Sequence, residues 1–90
     1  SLFVFYEQLK HDIHLSELLK KEVIPRLEKA LKATHKAYEV GRYSYLEWVI
    51  VQNELLDAQS ALLNASLSAH QNKIEIERLT GAHLNTLFNE

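Results

Sequence analysis

Between Tyr38 and Trp48 the chain carries three local signals, each pointing to one helix ending and another beginning. Gly41 follows a long apolar-periodic run, where a helix needs a residue free to take positive φ and close its last carbonyls. Ser44 precedes Glu47 by three residues, the spacing of a capping box. There the serine hydroxyl accepts from the N–H of residue 47 and the carboxylate reaches back to the N–H of residue 44. Tyr43, just before that cap, and Trp48, at the fourth helical position, are placed to form a hydrophobic staple. The chain has only two glycines and one proline in ninety residues. Both glycines, Gly41 and Gly81, close long periodic runs, so little but helix fits between them. The expected fold is all-α: a long antiparallel coiled-coil hairpin over residues 1–90, with a helix over about 2–40, a turn at 41–44, a helix over about 45–80 and a short tail at 81–90.

The first arm opens on Leu2-Phe3-Val4-Phe5-Tyr6, apolar all round, then becomes amphipathic through Leu9, Ile13, Leu15, Leu18 and Leu19. In isolation the first five residues pass for a strand, but their direct continuation into helical spacing reads as the start of a buried helix. Pro25 interrupts this arm. A mid-helix proline removes a hydrogen bond and strikes the carbonyl four residues back, so the helix either kinks or splits here; the absence of any cap or turn residue before Pro25 favours the kink. Beyond it, Val23, Leu27, Ala30, Thr34 and Ala37 recur at four-three spacing beside a second line of Ile24, Leu31 and Tyr38.

The second arm is more informative. Trp48, Val51, Leu55, Ala58, Leu62, Ala65, Ala69, Ile76 and Leu79 fall on alternating three- and four-residue steps broken only by Asn72, which is a coiled-coil seam. A second line runs through Val49, Asn53, Leu56, Ser60, Leu63, Leu67, His70 and Ile74. At about 100° per residue the two stripes lie roughly 150° apart, separated by polar strips. A helix in a simple hairpin needs one seam; this one has two and therefore expects neighbours on both flanks. At ~1.5 Å per residue the arms give a hairpin roughly 55–58 Å long. An object so thin buries little apolar surface alone, so self-association into a four-helix bundle is expected.

The formal net charge of -2 offers no electrostatic reason to expect nucleic acid as a partner. The lack of cysteine excludes disulfides and thiolate metal sites. No apolar run approaches the roughly 20 residues needed to span a bilayer, and nothing reads as a signal peptide. The chain opens on Ser1 rather than Met, as expected of a piece of a longer protein. Glu7, His11 and His14 share one helical face and form a candidate divalent-metal set, set against the simpler reading of a solvated polar face. His35, His70 and His83 are isolated and read as packing or surface residues. Asn64-Ala65-Ser66 matches a glycosylation sequon that mid-helix placement makes accidental. No nucleophile–base pair, paired-carboxylate site or phosphate loop is present in the sequence, so neither an enzyme nor a cofactor is expected.

The run Ala37-Tyr38-x-x-Gly41-Arg42-x-Ser44-Tyr45-Leu46-Glu47, then Gln52-Asn53-Glu54-Leu55-Leu56-Asp57-Ala58-Gln59 and Leu79-Thr80-Gly81, resembles the outer-membrane efflux protein (TolC-like) family. The heavy-metal cation efflux branch, in which a segment like Ile24-Pro25 also precedes the turn, is the nearest in pattern. The resemblance covers roughly residues 20–82 and is to the lower part of the family's second periplasmic hairpin. It implies a trimeric channel in the outer membrane of a Gram-negative bacterium, with this segment in the periplasm and membrane contact only through β-barrel parts outside this sequence. It implies export of metal cations or small toxic compounds and, at the tip formed by Val40, Gly41, Arg42 and Tyr43, docking to a periplasmic adaptor (membrane fusion) protein. Arg42 offers a forked donor for that docking, or is simply a solvated loop residue. By the same resemblance Glu47 lies near the position where acidic residues constrict the entrance; the next such position is Ile50, so the entrance carries a single acidic ring or none. The capping box explains Glu47 equally. The alternative to the channel is a generic coiled-coil interaction module in which the turn is only a turn.

Overall fold

The computed structural model describes residues 1–88, and the chain folds as an all-α helical hairpin with no strand among them. The first arm is α1 (Leu2–Leu18), a π-helical turn (Leu19–Val23) and α2 (Ile24–Glu39), joined end to end; the second is α3 (Tyr45–Phe88). The hairpin measures 75 × 17 × 14 Å. It exceeds the length expected from sequence because α3 passes through Gly81 and runs for 44 residues. Gly81 is an interior helical residue here. Glycine costs a helix only about 1 kcal/mol. No proline follows it, and the Thr86 hydroxyl donates to the Ala82 carbonyl at 3.0 Å, as side chains do within a continuing helix. Among the described residues only Gly41 takes a positive φ.

The N-terminal run is helical from Leu2, capped by the Ser1 hydroxyl, which accepts from the Val4 N–H at 3.4 Å. It is not a buried helix, however: Phe3 is 71% and Val4 58% exposed. One partner helix covers one face, and these residues point elsewhere.

The first seam of α3 is the interface between the arms. Ala58, Ala65 and Ile76 are buried, and Trp48, Val51, Leu55, Leu62 and Ala69 are half-buried. Leu79, expected to continue the line, is 39% exposed. From the first arm, Leu19, Asp12 and Thr34 are buried, with Phe5, Leu9, Ser16, Val23, Leu27 and Leu31 half-buried along the same line. Ile13 and Leu18, read from sequence as part of the amphipathic face, are 48% and 44% exposed. Ala30 is also exposed, so the line of Val23, Leu27, Thr34 and Ala37 meets α3 without it. Many interface positions are small, which lets the two backbones approach closely. Among the described residues every ion pair lies within one arm. Exposed pairs of this kind contribute at most about 1 kcal/mol each, so the arms are joined by the apolar seam and the polar contacts set into it.

The π-helical turn answers the question Pro25 poses. The first arm neither ends nor splits there. The Ile24 N–H donates to the Leu19 carbonyl, five residues back, rather than to the residue four back. A π turn holds one more residue than an α turn and widens the helix just where the proline ring would strike the Lys21 carbonyl. The insertion also corrects the seam. Its steps run Phe5, Leu9, Asp12, Ser16, Leu19 in alternating fours and threes, then Val23, Leu27 and Leu31 in three successive fours. Without the additional residue the rhythm would turn Arg26 toward α3; instead Arg26 is exposed and pairs with Glu22 at 3.1 Å.

Candidate functional site

The tip is built by backbone hydrogen bonds that its sequence dictates. Gly41 has φ of 77°, its N–H donates to the Tyr38 carbonyl at 3.0 Å, and the Arg42 N–H donates to the Ala37 carbonyl at 2.8 Å. These are the two bonds of a Schellman motif, which closes carbonyls that α2 would otherwise leave open. Across the turn, the Glu47 N–H donates to the Ser44 hydroxyl at 3.2 Å, and the Ser44 N–H donates to the Glu47 carboxylate at 3.3 Å. The capping box expected from the sequence is therefore formed on both sides. Its carboxylate sits in the first turn of α3, where the helix dipole favours negative charge.

The staple forms with different partners from those expected. Trp48 does not pair with Tyr43. It stacks on Tyr38 at 5.3 Å and 16°, meets Tyr45 edge-on at 5.8 Å, and lies 4.9 Å from the His35 ring. Tyr38 and His35 are on the preceding helix, so this cluster ties α2 to α3 rather than locking the loop. Tyr43 instead lines an open groove with Ala30, Ala33, Thr34, Ala37 and Arg42. The Schellman turn displaces the loop residue from the face Trp48 occupies, and a helical aromatic replaces it.

What remains at the tip for a partner is chiefly apolar. Val40 is 71% exposed, Leu46 67% and Tyr45 61%, with Tyr43 and Ile50 also exposed. Among the described residues the Arg42 guanidinium makes no ion pair, while Glu39, its acidic neighbour in sequence, turns back to His35 Nδ1 at 3.1 Å. Glu47 is exposed, with its carboxylate engaged at Ser44.

The histidine face at the other end is not assembled into a metal centre. Glu7 pairs with Lys10 at 3.5 Å, His11 and His14 are exposed, and among the described residues no three metal-ligating side chains converge. His70 is exposed on α3. His83 lies on α3, and its side chain is outside the described residues.

Sequence reasoning missed a second cluster. Asp12 is 3% exposed within the interface. One carboxylate oxygen accepts from Gln8 Nε2 at 2.9 Å and the other from Asn72 Nδ2 at 3.2 Å, while Asn72 also reaches the Ser68 carbonyl at 2.9 Å. Asn72 was visible as the break in the α3 seam. Its partner was not, because Asp12 falls on the interface line of α1 only once the π turn sets that line's phase.

Compared with protein-family models, curated proteins and solved structures, the chain matches none.

Proposed function

We propose that this hairpin is a wall element of a helical duct: the lower periplasmic part of an outer-membrane efflux channel that exports metal cations or small toxic compounds. The observation supporting this reading is the second stripe of α3. Leu56, Leu63, Leu67 and Ile74 are 58%, 59%, 52% and 40% exposed, although their spacing is that of a packing seam. In a ring of helices each member touches two neighbours at somewhat under 180°, and the stripes of α3 stand about 150° apart. The sequence resemblance supplies the rest of the proposal: a trimeric outer-membrane channel of a Gram-negative bacterium, this segment in the periplasm, and a periplasmic adaptor docked at Val40, Gly41, Arg42 and Tyr43. The exposed apolar tip, and an Arg42 guanidinium without an ion pair among the described residues, suit docking to another protein's helices. Glu47 enters this proposal as a candidate acidic ring at the entrance.

One observation favours the simpler reading, a coiled-coil interaction module without transport. Gly41, Ser44, Glu47 and Trp48 are all engaged in holding the turn together, so the turn's own stability accounts for them.

The test has two parts. Sedimentation of this chain should give paired hairpins, with Leu63→Glu combined with Leu67→Glu yielding a helical monomer; a stable, well-folded monomer of the unmodified chain at high micromolar concentration would refute lateral assembly. In the full-length protein, Arg42→Glu should weaken adaptor binding and lower efflux while trimers persist. Unchanged efflux-dependent resistance makes Arg42 a solvated loop residue, whereas a full-length protein that supports no efflux leaves the interaction module as the reading.

A further inference from the structure

We propose that Asp12 and Asn72 form a registry pin, a buried polar pair that selects the one rotational setting in which α1 packs on α3 beyond the π-helical turn. The pin is a property of the hairpin itself and holds whatever duct or partner the hairpin serves.

The hydrogen bond from Asn72 Nδ2 to Asp12 Oδ2, at 3.2 Å, is the one side-chain hydrogen bond between the two arms among the described residues. It lies far from the turn. The Schellman motif and capping box set the relation of α2 to α3 at the tip, but their control does not extend past Leu19–Val23. A π turn adds one residue, and one residue is a rotation of about 100° for everything upstream of it. Which line of α1 meets α3 therefore depends on whether that insertion is present.

Hydrophobicity separates the two settings only partly. With the π turn, α3 meets Phe5, Leu9, Asp12, Ser16, Leu19 and Val23. Without it, counting back from Leu27 in threes and fours, α3 would meet Ile24, Lys20, Glu17, Ile13, Lys10 and Tyr6. The second line keeps three apolar residues, and its charged members have long stems that can bend out to water. Two of the apolar ones, Ile13 and Tyr6, stand 48% and 49% exposed in the structure, available to that competing packing.

Asp12 discriminates between the two settings more sharply. In the observed setting each carboxylate oxygen has an amide donor, from Gln8 at 2.9 Å and Asn72 at 3.2 Å, and Asn72 is held in turn by the Ser68 carbonyl at 2.9 Å and hydroxyl at 3.3 Å. Among the described residues no buried side-chain nitrogen or oxygen lacks a partner. Rotating α1 by one residue separates Asp12 from Asn72 and leaves the asparagine amide in the seam without it. A single polar residue in an otherwise apolar seam is the known means by which coiled coils choose one register, at some cost in stability.

The chain has no cysteine, so engineered pairs report register directly. Ser16→Cys with Ala69→Cys joins half-buried positions on the two arms, each one helical turn from Asp12 or Asn72; Glu17→Cys with Ala69→Cys joins the pair that replaces them when α1 rotates by one residue. In the otherwise unmodified chain the first pair should oxidise readily and the second should not. Adding Asp12→Leu and Asn72→Leu together should raise the melting temperature and increase the rotated cross-link severalfold at the expense of the first. Asp12→Asn, which can still bond Asn72, should keep the original pattern. Exclusive 16–69 cross-linking in the double-leucine chain, whatever its melting temperature, would overturn the proposal.

Discussion

The two ends of the hairpin are held by different physics. At the tip, residues within eleven positions of one another do everything: Gly41 closes α2, Ser44 and Glu47 open α3, and Trp48 stacks on Tyr38 from the helix just before. At the far end, Asp12 and Asn72 meet across sixty residues of chain, and only the packing of two arms puts them in contact. Hydrogen bonds at the tip use exposed groups that water can replace, so each contributes modestly. The Asp12 carboxylate is buried, so its partners matter more than their number suggests. The tip specifies where the chain turns; the far end specifies how the arms lie on each other.

The largest effect is expected from Asn72→Leu made alone. It leaves the Asp12 carboxylate buried with Gln8 as its remaining partner, and loss of one member of a buried charged contact costs about 3 kcal/mol or more. Chemical denaturation should register that loss, and hydrogen exchange should place it: amides of α1 lose protection while those of Arg42 and Glu47 keep theirs. Equal loss at both ends would mean that the hairpin melts as one unit and that its two ends are not held separately.

Gly41→Val tests the opposite end. A Cβ at this position meets nothing within 4 Å, so the cost expected is that of the backbone conformation. A β-branched residue held at φ of 77° is strained by about 2 kcal/mol. Protection should fall around residues 37–48 and persist near Asp12. Unchanged stability would show that the turn relaxes into another form and that the Schellman bonds contribute little.

The smallest effect is expected from Glu47→Gln. Glutamine can still accept from the Ser44 N–H, so stability should change by no more than about 0.5 kcal/mol. Under the proposed channel function, the same substitution in reconstituted full-length protein separates the two readings of this residue. Lost cation preference points to a carboxylate at the entrance, and unchanged conductance and selectivity assign Glu47 to its helix cap alone.

Much of this was legible in the residues themselves. Gly41, the Ser44–Glu47 spacing and the two stripes of α3 each express a local rule, of positive φ, of capping geometry or of helical period, and such rules act wherever the sequence places them. The hairpin, its turn and the exposed second stripe follow. Other features depended on which neighbour won a shared position. Trp48 took Tyr38 and His35 in place of Tyr43 because the turn carried Tyr43 onto the flank of α2. Gly81 stayed helical because a single glycine penalty is small beside the continuing helix around it.

The amino-acid sequence by itself determined the helical character of both arms, the site of reversal and the faces that must be covered, since hydrophobic period and capping act over a few residues. Tertiary structure alone decided the phase of α1. Pro25 announced a disturbance, but whether it would become a kink, a break or a one-residue insertion depended on which line of α1 could bury Leu19 and Asp12 against α3 together. Asn72, an irregularity in one helix, acquired a meaning only when Asp12 of the other arm arrived within 3.2 Å. The physical reason is that a buried polar group is judged by its partner, and its partner is chosen by the fold.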